Sequence, residues 1–115
     1  MLRGEIRLVE FPPALEGQAN RSRPAILVSN DGVNQAAGRH GHGMVMVVPM
    51  MPETDSLYPF QVLIPAEESG MDRDTKAAVE QVRAVPVARI ERLVGRVPPQ
   101  RMQDIDEALR LHLAL

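Results

Sequence analysis

Apolar and polar residues alternate over residues 5–10, EIRLVE, with Ile6 and Leu8 on one side and Arg7 and Val9 on the other. That period of two predicts a first strand, stopped at Phe11-Pro12-Pro13. Residues 14–22 are polar and contain glycine, which predicts a surface loop, and the β-branched run Ala25-Ile26-Leu27-Val28 then reads as a buried strand. Ser29-Asn30-Asp31-Gly32 carries turn chemistry, and the glycine-rich stretch to Gly43 shows too little periodicity for a regular element, so a second loop is expected there. Met44 to Val48 forms the clearest strand, ended by Pro49 and Pro52 because proline cannot donate to a ladder.

Residues 60–64, FQVLI, predict a further strand closed by Pro65. Residues 77–85 alternate well enough for another, although Ala77-Ala78-Val79-Glu80 also suits a helix. A helical turn is expected over 87–92 and a short strand over 93–97. After Pro98-Pro99, Met102, Ile105, Leu109 and His112 or Leu113 recur at three- and four-residue steps, the signature of an amphipathic helix. Five or six short strands and one terminal helix make the chain mostly β, a small antiparallel barrel rather than a series of βαβ units. Residues 1–115 read as one domain without repeats or linkers.

Composition narrows the chemistry. A hydrophobic fraction of 44% and a charged fraction of 24% are those of an ordinary globular domain. The absence of cysteine excludes disulfides, thiolate metal sites and cysteine nucleophiles. No apolar run reaches membrane-span length and no signal peptide opens the chain, so a cytoplasmic protein is expected. The net charge of −2 argues against a polyanionic partner until its distribution is considered. Arg83, Arg89, Arg92, Arg96 and Arg101 face only Glu91 in their stretch, whereas residues 53–80 carry mostly acids. Lys76 is the only lysine; guanidinium groups, which grip phosphates bidentately, supply nearly all the positive charge.

Candidate sites are few. His40 and His42 lie among glycines without a third metal ligand beside them, so an exposed loop is their default reading and groove lining the functional one. The glycines at 38, 41 and 43 lack the Lys-Ser/Thr tail of a phosphate-binding loop, and no serine sits in a nucleophile elbow. Arg21 and Arg23 precede a buried strand, and Pro24 holds Arg23 extended at the strand mouth. Position alone leaves Arg23 open between a solvated arginine and a ligand-facing one.

The ordered series RGEI (3–6), the loop from Gly17 to Ser22, SRPAILVSND (22–31), VVP (47–49), YPFQV (58–62), EQVR (80–83) and VGRV (94–97) resembles the MazF/PemK family of toxin endoribonucleases, or mRNA interferases. The resemblance implies an SH3-like antiparallel β-barrel of MazF/CcdB type with a C-terminal helix. It implies a homodimer with a groove for single-stranded RNA, sequence-specific cleavage by 2′-OH attack without metal or other cofactor, and a MazE-like antitoxin that blocks the groove. The family's catalytic arginine falls on Arg23. A guanidinium is a poor proton acceptor, so its main expected task is to stabilise charge on the pentacoordinate phosphate. Gln18, Asn20, Arg21, His40, His42, Gln81 and Arg83 are the expected RNA contacts.

One departure from the family pattern falls on the chemistry. The second family residue is a Thr or Ser two places after Val-Pro; here that position is Met51, which cannot donate a hydrogen bond. Three outcomes stay open: Thr54 or Ser56 replaces the hydroxyl, Arg23 works alone and slowly, or the chain binds RNA and antitoxin without cutting. Gln18 also stands where many members carry Glu. A gyrase inhibitor, the activity of the related CcdB toxins, is disfavoured by the Arg23-centred motif.

Overall fold

The computed structural model describes residues 1–12, 17, 19 and 21–115. Seven strands and three helices follow one another as β1 (Glu5–Phe11), β2 (Arg21–Leu27), α1 (Asp31–His40), β3 (Met44–Met51), β4 (Gln61–Ile64), α2 (Ala66–Ser69), β5 (Thr75–Ala78), β6 (Arg83–Pro86), β7 (Ile90–Arg96) and α3 (Pro99–Leu113). All the strand pairings are antiparallel, in the order β4-β5-β3-β2-β1-β7, with β6 also on β3. Among the described residues this path is open, since no ladder joins β4 to β7.

β3 is the hub of the sheet. Its Val47 pairs with Leu27 of β2 on one edge and with Arg83 of β6 on the other. Farther along the second edge, Met50 and Met51 pair with Ala77 and Lys76 of β5. The expected single strand over 77–85 is therefore two, broken by a 3-10 turn at Val79–Gln81 that shifts the register between them. The fully buried Val79 anchors that turn in the core.

Alternation along β1 to β3 buries both faces of the sheet. Ile6, Ile26, Val48 and Met50 point to a core that α3 closes with Met102, Ile105 and Ala108. Val9, Phe11, Ala25, Leu27, Val45 and Val47 point the other way, into a second cluster with Val85 of β6 and Ala37 of α1. Pro99 starts α3, where its missing N–H is no loss. His112 and Leu113 remain exposed, with the His112 ring 6.1 Å from that of Phe60.

The glycine-rich segment expected as a loop is the ten-residue helix α1. Asn30 caps it by accepting from Val33 N–H at 2.9 Å, and Gly41 ends it at φ 73°, a left-handed conformation that glycine adopts without strain. The fully buried Asn34 ties the helix to the sheet by donating to the Ser29 carbonyl at 2.8 Å, and Ser29 Oγ accepts from Met46 N–H at 3.0 Å. Arg3 links the chain start to both long helices through Asp31 and Asp106. The helical turn expected over 87–92 is shorter, Val87–Arg89, and β7 begins already at Ile90. At Gly95, where the β1–β7 register shifts, an added Cβ would sit 2.6 Å from the Ser69 carbonyl oxygen.

Candidate active site

The β1–β2 ladder sets Arg23 opposite Val9 and Arg21 opposite Phe11. The β2–β3 ladder runs from Leu27 opposite Val47 to Ala25 opposite Pro49, so Arg23 and Met51 each stand two residues past its last pair. Met51 in turn faces Lys76 across β3 and β5. Side chains repeat every second residue and directly opposed residues share a face, so Arg23 lies on the face of Ala25 and Pro49, and Met51 and Lys76 lie on it too. Arg83, opposite Val47, lies on that same face because side chains repeat every second residue.

Phe11 focuses the arrangement. Its ring is 1% exposed, yet it is covered by cations: Arg23 Cζ lies 5.3 Å and Arg83 Cζ 5.2 Å from the ring centroid. Each contact contributes about 0.5–2 kcal/mol, depending on its exposure to water. Among the described residues neither guanidinium meets a carboxylate, and Arg23 Nε is buried without an acceptor. A donor left unpaired in this way costs about 1–3 kcal/mol. Two like charges gathered on one ring, with no carboxylate paired to either among the described residues, make an arrangement suited to an anion.

The other arginines of the basic stretch behave differently. Arg89 pairs with Glu10 at 3.8 Å, Arg96 with the buried Glu5 at 3.6 Å, and Arg101 with Glu68 through bonds of 2.9 and 3.0 Å. The hydrogen bonds from Arg101 hold the Glu68 carboxyl below the ordinary glutamate range, and Glu68 raises Arg101 in return. The apparent charge segregation is thus largely cancelled by acids distant in sequence, leaving Arg83 as the member of that stretch that joins Arg23.

The remaining expected residues are scattered. Thr54 lies three places past Met51 in the segment after β3, half-buried, and makes no hydrogen bond among the described residues. Ser56 engages the same turn through its backbone. Gln81 is exposed on the 3-10 turn two places before Arg83. Its neighbour Glu80 accepts from Gln61 Nε2 at 2.7 Å and keeps Oε1 buried and unpaired. His40 and His42 stack at 5.7 Å where α1 passes into β3. That is the opposite end of the β2–β3 pair from Arg23, so within one chain they do not join it. No third metal-ligating side chain accompanies them among the described residues. Gln18 and Asn20 lie outside the described residues.

Two participants escaped the sequence reading. Phe11 looked like the residue that merely ends β1, and its adjacency to two arginines comes from pairing between strands. Lys76, though singled out as the only lysine, is a buried ammonium bonded to Glu53 Oε2 at 2.9 Å and the Ser56 carbonyl at 2.7 Å. The hydrogen bond from Lys76 holds the Glu53 carboxyl below its ordinary range, aided by the Asp55 and Ser56 N–H groups and opposed by partial desolvation.

Comparison with known proteins settles the family. The family described as PemK-like, MazF-like toxin of type II toxin-antitoxin system matches residues 2–113. The chain belongs to this PemK/MazF toxin family. Endoribonuclease MazF9 of Mycobacterium tuberculosis is 45% identical over 115 residues, spanning 100% of this chain and 98% of that protein. Endoribonuclease EndoA of Bacillus subtilis is 26% identical over 113 residues, 98% of this chain and 94% of that one. A MazE-MazF structure from Deinococcus radiodurans superposes with a TM-score of 0.77 at 20% identity, covering 100% of this chain and 96% of that one, a likeness of fold.

Proposed function

We propose that this chain is an endoribonuclease toxin that cleaves single-stranded RNA at short sequence motifs, without a metal ion, and is neutralised by a MazE-like antitoxin in the cytoplasm. The observation that carries the reading is the pair Arg23 and Arg83 on Phe11, neither with a carboxylate partner among the described residues, Arg23 standing on the position to which the family resemblance assigns the catalytic arginine. Support comes from the endoribonuclease names of the relatives in Mycobacterium tuberculosis and Bacillus subtilis. For the antitoxin it comes from the likeness to the MazE-MazF structure of Deinococcus radiodurans.

The chemistry follows from the charges. Attack of a ribose 2′-oxygen on the adjacent phosphorus forms one P–O bond and breaks the bond to the 5′-oxygen, leaving a 5′-hydroxyl on the downstream fragment. Charge grows on the non-bridging oxygens in between. Arg23, whose Nε has no acceptor among the described residues, stabilises that charge, and Arg83 holds the neighbouring phosphate or the same one from the far side of the ring. Gln81, two residues from Arg83, and Arg21, opposite Phe11, line the approach. We read the sheet as an SH3-like barrel curled around β3, with β5 and β6 sharing one of its edges. A second copy fits the exposed apolar strip of Met44 and Met46, which lie opposite Ala84 and Pro86 on the other face of that hub.

The test is incubation with a long single-stranded RNA in excess EDTA, comparing wild type with Arg23→Ala. Discrete fragments with 5′-hydroxyl ends from the wild type alone are expected; intact RNA at high protein concentration overturns the reading. A second reading, a toxin-like module that binds RNA and antitoxin without cutting, draws on one observation, a thioether at position 51 on the sheet face that carries Arg23. It predicts that Met51→Thr produces no gain in cleavage while antitoxin still binds.

A further inference from the structure

Lys76 is the only lysine of the chain, and its side chain is 6% exposed. Its ammonium donates to Glu53 Oε2 at 2.9 Å and to the Ser56 carbonyl at 2.7 Å. The other oxygen of Glu53 accepts from the N–H groups of Asp55 at 2.6 Å and Ser56 at 3.1 Å. One cation and one carboxylate therefore grip the turn of residues 53–56 from both sides. Thr54 lies inside that grip, and its hydroxyl has no partner among the described residues.

The position of the grip matters. Lys76 faces Met51 directly across the β3–β5 ladder, on the same sheet face that carries Arg23 two residues before the Ala25–Pro49 pair. A lysine buried at a strand position is a poor source of stability, because an apolar side chain of similar size packs there without desolvating a charge. What it supplies is a fixed geometry for the backbone it bonds, here a turn three residues beyond the thioether.

We infer that Lys76 and Glu53 are positioning residues that hold the 53–56 turn so that the Thr54 hydroxyl reaches the phosphate at Arg23, replacing the donor that Met51 lacks. The inference rests on the nuclease reading above and assigns Thr54 the catalytic contact, with Lys76 and Glu53 acting through it.

The experiment is single-turnover RNA cleavage by Thr54→Val, Lys76→Met, Glu53→Gln and the combinations Thr54→Val with Lys76→Met and Met51→Thr with Lys76→Met. Thermal unfolding of each confirms folding. Thr54→Val is expected to slow the cleavage step by about a hundredfold with little change in RNA binding, as loss of one oxyanion donor does. Lys76→Met and Glu53→Gln should each slow it by about tenfold or more, and Lys76→Met should add nothing on top of Thr54→Val, since residues acting as a unit are non-additive. Returning a hydroxyl at position 51 should rescue Lys76→Met. Should Lys76→Met fail to fold, Glu53→Gln, whose side chain is largely exposed, carries the test. An active wild type with undiminished Thr54→Val, or an additive double variant, overturns the clamp and leaves the nuclease reading standing. A wild type that cuts no RNA removes both.

Discussion

The two faces of the sheet are finished in opposite ways. One is closed by a helix, with Met102, Ile105 and Ala108 of α3 laid over Ile6, Ile26, Val48 and Met50. The other buries Val9, Phe11, Ala25, Leu27, Val45 and Val47, and at Phe11 its lid is two arginines. A helix lid excludes water and supplies dispersion contacts all round, so that side is where stability accumulates. A lid of cations covers apolar surface with its stems and still offers charge outward. Stability and recognition are thereby allotted to different sides of the same three strands.

That division can be broken from either side. Ile105→Ala, which removes a fully buried side chain under α3, is expected to cost about 2–5 kcal/mol of stability. Denaturant unfolding would measure it, with RNA cleavage per folded molecule unchanged. Arg23→Ala should do the reverse: a loss of about a hundredfold or more in cleavage rate with a melting temperature close to wild type, because losing the contact with Phe11 is offset by removing a buried N–H that has no acceptor among the described residues. Gly95→Ala, whose new methyl meets the Ser69 carbonyl at 2.6 Å, is expected to cost about 1–3 kcal/mol as strain and to leave the phosphate site untouched.

The smallest expected effect is that of acid. Glu68, bonded by Arg101, titrates below its ordinary range in the folded chain, so its contribution is complete above that range and disappears as pH falls through the lowered value. Glu53 follows the same sign through Lys76. Thermal unfolding of wild type and Glu68→Gln, compared from about pH 7 to about pH 3, should show a modest gap that closes at the acid end; a gap that widens there contradicts the assignment.

The strands and α3 were legible because their periodicities are those of elements with an apolar face. α1 was not, since it buries only Asn34 and Ala37 and so carries almost no apolar stripe; Asn30 and Gly41 were the signals available, as cap residues at either end. The break between β5 and β6 was hidden by Val79, which reads as another strand residue but anchors a turn in the core. In the site, Arg23 was legible from its motif, whereas its partner Arg83 was one arginine in a basic run. Only the fold shows that Arg89, Arg96 and Arg101 of that run are engaged by Glu10, Glu5 and Glu68. Phe11 was missed because a platform for two side chains is defined by cross-strand pairing.

Those distant acids also bear on how the protein responds to salt. Condensed counterions sit on the nucleic acid and leave when a cation takes a phosphate, and an arginine already held by a carboxylate is a poorer partner for that exchange. On the proposed reading, Arg23 and Arg83 each contribute a slope of about −0.7 in log affinity against log salt when single-stranded RNA binds. For a protein of net charge −2, a contact confined to those two arginines is expected to be small and dense rather than a broad electrostatic field, and to weaken only slowly as salt is raised.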